Sequence, residues 1–402
     1  WFIPSFFILS LIMSACLWSS YADQQFSYLA QAFLHGHLNL AHLYPSSSDD
    51  LVYSGHRIYW ALGPFPAVVL MPFVLTLSIF GGFFLQGYLQ SLLVLAVLGM
   101  VFLLARNFKY DKEDSLILAL GFVLGSTFIG VAAISFSWYF AQVITVLLLF
   151  WALYEYFNRK RWWLIGLICA MLLLTRVDAA AILVFFTLEL VRSKRKIQEK
   201  RRLLALLFAT VVAAALLLGA YNFLRFHDVL NQGYSMQVLY PAVAGERAHG
   251  LLNPGHIPTN FYYAFIHGPM PVFKTGTHEL VYPYVQNDPW GMSIFLTSPY
   301  LLYLFTLKRR ELKGWPLNLL ITASVICIFL LAWFATGYFQ FGWRFSLDFL
   351  PLLFVLFMAK YRQRHERLST SMRLLLLGSG AFNFYLMMWM IVMKTHIAFL
   401  GL

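Results

Sequence analysis

Two places in this chain put a charge where chemistry would want one. The first is Tyr21-Ala22-Asp23-Gln24-Gln25-Phe26-Ser27-Tyr28-Leu29-Ala30-Gln31-Ala32-Phe33-Leu34, which opens with a carboxylate. Phe26, Leu29, Ala30, Phe33 and Leu34 fall on one helical face, which predicts an amphipathic helix with Asp23 at its N-terminal end. An acid there caps the helix, contributing about 1 kcal/mol, or serves as a general base to a hydroxyl within hydrogen-bond reach. The second place is Gln340-Phe341-Gly342-Trp343-Arg344-Phe345-Ser346-Leu347-Asp348, where an arginine enters an apolar run. A charge at that depth is costly unless it is paired or functional. Asp348, four residues on, offers an intrahelical partner, and an anionic group such as a phosphate offers the alternative. Arg57, in Tyr53-Ser54-Gly55-His56-Arg57, is the next candidate cation, whereas Arg176 and Asp178 in Thr175-Arg176-Val177-Asp178 read as a structural pair.

Other polar residues carry less. Asp49, Asp50, Asp228 and Asp288 are further carboxylates, and Asp49-Asp50 after Ser46-Ser47-Ser48 reads first as a solvated turn. His35, His37 and His42 lack the i, i+4 spacing of a helical metal pair, so interfacial hydrogen bonding is the expectation and no metal ligands are assigned. Cys16, Cys169 and Cys327 sit inside apolar runs and imply neither a disulfide framework nor a metal site. No glycine-rich nucleotide-binding loop is found in the sequence.

The elements that must position these residues are membrane helices. The 402 residues are 60% hydrophobic and only 11% charged, against roughly a quarter charged in ordinary soluble chains. Most of the 29 lysines and arginines fall in five clusters between apolar runs: Arg106–Lys112, Arg159–Arg161, Arg192–Arg202, Lys308–Lys313 and Lys360–Arg373. That placement explains the net charge of +12 as a topology signal, not a nucleic-acid surface. With these clusters on the cytoplasmic side, parity predicts an all-α polytopic bundle of about 11 spans in one transmembrane domain, 1–402. The predicted spans are about 2–20, 83–105, 115–134, 138–157, two short ones bent at 175–178 within 162–191, 203–224, 293–307, 316–338, 344–359 and 372–393. The apolar stretch from Gly63-Pro64-Phe65-Pro66 onward then lies in or dips into the outer interface, since counting it as a crossing would reverse the Arg106 cluster. Two outer loops result, 21–82 with amphipathic and interfacial helices, and 225–292, whose Gly, Pro and Asn content predicts a folded loop with short helices.

A first span, an acid opening an amphipathic helix, and a Pro-containing apolar segment (Trp60-Ala61-Leu62-Gly63-Pro64-Phe65-Pro66) before the next span resemble the GT-C glycosyltransferases. Within that superfamily the chain looks most like the bacterial glycosyltransferase 39, protein-mannosyltransferase-like group, with further likeness at Arg225–Tyr234, Gly291–Pro299 and Phe341–Pro351. The resemblance implies a GT-C-like bundle in the inner (plasma) membrane. It also implies transfer of a sugar from a polyprenyl-phosphate donor to an acceptor hydroxyl of a glycan, lipid or protein on the extracytoplasmic side, with inversion and with Asp23 as general base. Arg344 and Arg57 would bind the donor phosphate, and Gln24, Tyr28, His56, Tyr234 and Asp348 are expected around the substrate. No cofactor is required, although the resemblance leaves room for a divalent cation. The chain departs from the family pattern where many relatives carry Asp-Glu, having Asp23-Gln24, and it lacks an acid in Ala133-Ile134-Ser135-Phe136-Ser137-Trp138. Rival readings are a transporter or flippase of lipid-linked sugars, which needs no base, and a catalytically silent GT-C-like scaffold subunit.

Overall fold

The computed structural model describes residues 2–19, 24–40 and 50–400. It opens with α1 (Phe2–Ser19) and α2 (Gln25–Leu34), a hairpin of β1 (Leu51–Ser54) and β2 (Arg57–Trp60), and α3 (Phe65–Ile79). Then follow α4 (Gln86–Asn107), α5 (Lys112–Val123), α6 (Phe128–Ala133), α7 (Ser137–Phe157), α8 (Trp162–Leu173), α9 (Leu183–Val191) and α10 (Ile197–Phe226). The long segment after α10 holds α11 (Pro241–Arg247), α12 (Ile257–Phe261) and a hairpin of β3 (Met270–Phe273) and β4 (Leu280–Gln286). The chain ends through α13 (Ile294–Thr297), α14 (Trp315–Leu331), α15 (Leu350–Arg364) and α16 (Thr370–Leu400).

The fold class is the expected one, an all-helical membrane bundle, with two small hairpins among the described residues. Among the described residues, Gln86–Asn107, Ser137–Phe157, Ile197–Phe226 and Thr370–Ile391 are long and apolar enough to cross a bilayer. Shorter apolar helices accompany them, including Ile3–Leu17, Phe65–Ile79, Trp162–Leu173 and Trp315–Leu331. Helix α7 is the central post, buried along most of its length, while α10 exposes Val212, Leu216, Leu217, Phe223 and Leu224. An apolar surface of that kind suits lipid, not water. Helix α8 packs along α10 at a glycine: a Cβ on Gly166 would stand 2.4 Å from the Leu207 carbonyl oxygen. Close helix approach through a small residue is the usual membrane solution.

Several segments expected as continuous spans are broken, each at an identifiable feature. The 115–134 stretch divides into α5 and α6 around Ser126, whose hydroxyl donates to the Phe122 carbonyl and accepts from the Phe128 amide. The 293–307 stretch is a single turn, α13, followed by a 3-10 helix at Pro299–Thr306 that starts on a proline. The 344–359 stretch begins as a 3-10 turn over Arg344–Asp348, and only from Leu350 does it run as α-helix, with Pro351 in its first turn. The bend within 162–191 is where it was expected, between Leu173 and Ala179. Gly63 forms no helix: the 61–64 segment lies against the end of α8, so tightly that a Cβ there would meet the Leu174 carbonyl oxygen at 2.1 Å. Helix α2 carries the expected apolar face but also buries Gln25 and Ser27, so it is packed inside protein on more than one side, chiefly against α3.

Candidate functional site

One cavity of about 880 Å³ collects polar residues from distant parts of the chain. Its wall is built from the start of α2 (Gln25), Asp50, the first turn of α7 (Ser137, Trp138, Tyr139), the 176–178 bend, the 228–243 stretch, the end of α14 with the residues after it, and Arg344. Leu230, Tyr240, Phe329 and Tyr338 line it and are also exposed, so the rim is apolar and partly aromatic. Volume and mixed lining are those of a small-molecule site.

Arg344 dominates the interior. The residue is 8% exposed, and its Nε and Nη1 are buried without a hydrogen-bond partner. What surrounds the guanidinium is aromatic: Phe345 at 4.5 Å and Tyr139 at 5.6 Å from its central carbon. Among the described residues no acceptor bonds to Nε or Nη1, and the Asp50 and Asp348 carboxylates act on the guanidinium only from further off, so it lacks the close acceptors that normally offset desolvation. A guanidinium is charged at any physiological pH, so the site presents a permanent positive charge to the cavity.

The turn that places Arg344 is fixed by backbone contacts. Gln340 donates from Nε2 to the Trp290 and Thr336 carbonyls, at 2.7 and 2.9 Å, while its Oε1 accepts from the Arg344 amide at 3.2 Å. Gly342 adopts φ +59°, and a Cβ there would meet Thr127 Cγ2 at 2.5 Å, so only glycine allows this approach. The Arg344 carbonyl accepts from Gln142 of α7 at 3.1 Å. Tyr139 donates from its hydroxyl to the Phe339 carbonyl, which ties the same helix to the chain just before the turn.

Arg344 does not pair with Asp348, the intrahelical alternative raised by the sequence. Asp348, fully buried, is taken by Arg176: Nε donates to both carboxylate oxygens at 3.0 and 3.2 Å, and Nη2 to Oδ2 at 2.6 Å. The same Nη2 donates to Asp178 at 3.0 Å, so the expected Arg176–Asp178 pair exists and is joined by a second acid. Arg176 and Asp178 line the cavity. Because one carboxylate claims Arg176, the other arginine is left facing the cavity.

A polar corner lies beside this. Asp50 accepts from Trp138 Nε1 at 2.9 Å, and Gln237 donates to its carbonyl and carboxylate at 3.0 and 3.3 Å. Ser137 donates to Gln25 Oε1. Tyr234 is raised in pKa, first by burial and then by the carboxylates Asp178 and Asp348, with Arg176 and Arg225 opposing. It stands edge-on to Trp333, at 5.2 Å between ring centres.

Of the residues singled out in the sequence, Arg344, Tyr234, Arg176, Asp178, Asp50 and Asp228 line the cavity, and Asp348 supports it from behind through Arg176. Asp23, together with His42 and Asp49, lies outside the described residues. Arg57 and His56 are exposed on the β1–β2 hairpin and do not line the cavity; His56 sits in the turn with φ +60°. Gln24 is buried, and its Oε1 accepts from the Gln86 amide at 2.8 Å, an anchoring role. Tyr28 packs on Phe83, 4.8 Å between centres, away from the cavity lining. Trp138, Tyr139 and Gln237 line the site without having been singled out, since nothing in their local sequence marks them before the chain is folded. Among the described residues no three His, Cys, Asp or Glu side chains converge to hold a metal ion.

Comparison with known proteins gives a family and a set of distant folds. No curated protein matches the sequence. Solved structures with some likeness are of the Archaeoglobus fulgidus oligosaccharyltransferase. Its apo form is 14% identical with a TM-score of 0.45, covering 95% of this chain and 55% of that one. The enzyme named AglB, in complex with an inhibitory peptide and a dolichol-phosphate, is 14% identical with a TM-score of 0.42 over 96% and 56%. The complex with Zn and sulfate is 13% identical with a TM-score of 0.44 over 94% and 52%. This chain thus spans about half the length of those enzymes. A family model described as "Predicted membrane protein (DUF2079)" matches residues 25–249, more than half of the chain, so the protein belongs to the DUF2079 family of predicted membrane proteins.

Proposed function

We propose that the protein is a GT-C-type membrane glycosyltransferase that moves a sugar from a polyprenyl-phosphate donor to an acceptor hydroxyl. The observation that carries this reading is Arg344, a buried guanidinium with no close ion pair among the described residues, facing a cavity with an apolar rim. A lipid-linked phosphate supplies both things such a site lacks: an anion for the arginine and a hydrocarbon chain for the rim. Phe329 supports lateral entry of the chain, because it lines the cavity from α14, whose Val325 and Ile328 are exposed in the manner of a lipid-facing surface. The departing phosphate gains charge as the glycosidic bond breaks, and a fixed cation in a water-poor pocket favours that charge.

Asp23 is the proposed base: it takes the acceptor's proton as the oxygen attacks the anomeric carbon from the face opposite the phosphate, which inverts that centre. Gln25, two residues on, lines the cavity, which is consistent with the reading. The five basic clusters, read as cytoplasmic, support an extracytoplasmic cavity in the inner membrane, and the proposed acceptor is a glycan, lipid or protein hydroxyl. The test is a transfer assay on the purified protein in lipid nanodiscs with a panel of polyprenyl-phosphate sugars. Asp23→Asn should abolish transfer and keep donor binding. Full turnover in that variant removes the base, and donor translocation without transfer by the wild type favours a flippase instead.

A further inference from the structure

The hairpin of β3 and β4 turns large apolar side chains away from the protein. Phe273 is 47% exposed, Leu280 51%, Tyr282 67% and Tyr284 55%. Phe273 and Leu280 are cross-strand partners, and Leu280, Tyr282 and Tyr284 alternate along β4 with the better-covered Val281, Pro283 and Val285. The four exposed residues thus present one apolar, partly aromatic surface, and a patch of that kind marks a place that something covers. The charges of the hairpin stand at its tip, where Lys274 and Glu279, both largely exposed, pair at 3.6 Å.

Helix α16 fixes the height of this surface. Tyr282 stands edge-on to Trp389 at 5.1 Å between ring centres, Tyr385 donates from its hydroxyl to the Pro283 carbonyl, and Asn287 Nδ2 lies 3.7 Å from Met390 Sδ. At the other end of the same helix Arg373, in the last basic cluster, pairs with Glu113 and Asp114 of α5 at 2.8 and 2.7 Å. From Arg373 to Trp389 an α-helix rises about 24 Å, against a hydrocarbon core of about 30 Å. The hairpin therefore meets α16 near the boundary of the bilayer remote from that basic cluster. At this height α16 also exposes Phe382 and Met388, the lipid-facing surface of a helix long and apolar enough to span.

We propose that the β3–β4 hairpin is an interfacial anchor, seated with Phe273, Leu280, Tyr282 and Tyr284 in the headgroup layer of the bilayer that α16 crosses. Tyrosine suits that depth, because its ring meets the acyl boundary while its hydroxyl stays in the hydrated layer. Phe273 and Leu280 add apolar area, and the charged pair at the tip remains where water screens it. The anchor bears on the cavity, since β4 runs directly into Asn287. That side chain donates to the Gln340 carbonyl at 2.9 Å and accepts from the Gly342 amide at 3.4 Å. A hairpin held in the interface thus holds the backbone beside the turn that carries Arg344.

The test places a nitroxide on single cysteines from Phe273→Cys, Leu280→Cys, Tyr284→Cys and, at the tip, Thr277→Cys. The background carries Cys327→Ala and keeps the buried Cys16 and Cys169. The whole chain is studied in nanodiscs of phosphatidylcholine and phosphatidylglycerol, with oxygen as the lipid-phase relaxant and a nickel chelate as the aqueous one. The expected ratio of oxygen to nickel collisions is roughly threefold higher at 273, 280 and 284 than at 277, as for a segment seated about 5–10 Å into the headgroup/acyl boundary. Equal ratios at all four positions overturn the anchor, and so does protection of 273, 280 and 284 from both relaxants, which marks a protein cover. In the unmodified chain, a carbene released in the lipid phase from an aryl trifluoromethyl diazirine should label the 270–286 stretch as heavily as 206–224 of α10, where Leu216 and Leu217 are exposed. A hairpin left unlabelled overturns the proposal even where a cysteine variant fails to fold.

Discussion

Removing Arg344 and removing Arg176 should have opposite consequences for stability, although both are buried arginines in the same cluster. Among the described residues Arg344 has no ion-pair partner, and its Nε and Nη1 make no hydrogen bond. Arg344→Met therefore deletes a desolvated charge and keeps the volume, a change that is neutral or stabilising when buried charges give way to apolar side chains. Arg176→Met leaves Asp178 and Asp348 without their shared donor, and breaking a buried pair from one side costs about 3–5 kcal/mol. Thermal unfolding of the two variants in detergent, followed by tryptophan fluorescence, should show Arg344→Met at or above the wild-type midpoint and Arg176→Met several degrees below it. The binding assay runs the other way. A guanidinium fork on a phosphate makes two charge-assisted hydrogen bonds of about 1.5–3 kcal/mol each, so loss of Arg344 should weaken a prenyl phosphate by about 3 kcal/mol, roughly a hundredfold. If Arg344→Met is as unstable as Arg176→Met, the arginine is a structural element. If it is stable and binds the lipid phosphate as well as wild type, the cavity is not the anion site.

Further expectations follow from the packing. Gly166→Leu forces a side chain into the Leu207 backbone and should separate α8 from α10, lowering stability by about 1–3 kcal/mol, read as a lower unfolding midpoint. Gly342→Ala combines a left-handed φ with a clash against Thr127 and should reduce lipid-phosphate binding by displacing Arg344, with membrane insertion unchanged by protease mapping. On the opposite side of the chain, Arg364 holds the Glu311 carboxyl down at about 2 from its ordinary 4.5. A depressed carboxylate stabilises the fold above its ordinary value and stops doing so as pH falls through the folded one. The small loss of stability in Glu311→Gln should therefore be visible at pH 7 and vanish between about 4.5 and 2; a pH-independent difference would count against the pair.

The solvent was legible from composition alone, because runs such as 83–105 and 203–224 carry too much apolar surface for water, and they fall in the long helices Gln86–Asn107 and Ile197–Phe226. Basic clusters and bend residues were legible too, since charges inside apolar sequence are few and each needs a reason. The broken spans were not, because hydropathy averages over a window and does not register a local hydroxyl cap such as Ser126 or a proline start such as Pro299. The candidate site was legible in part, from Arg344, Tyr234, the Arg176–Asp178 pair and the carboxylates Asp50 and Asp228. Trp138 and Tyr139 of α7 and Gln237 were not, because nothing in their local sequence sets them apart.

What the sequence determined by itself is the inventory: how much of the chain must meet lipid, and which few charges are left inside it. What only the tertiary structure decided is who pairs with whom. Asp348 lies four residues from Arg344 and 172 from Arg176, yet the distant arginine holds it. The reason is geometric. A 3-10 turn at 344–348 and the bend at 176 bring one guanidinium flat against the carboxylate, and spacing along the chain carries no information about that approach. Which arginine is left without an acid, and so which one can meet a ligand, is therefore a property of the folded chain.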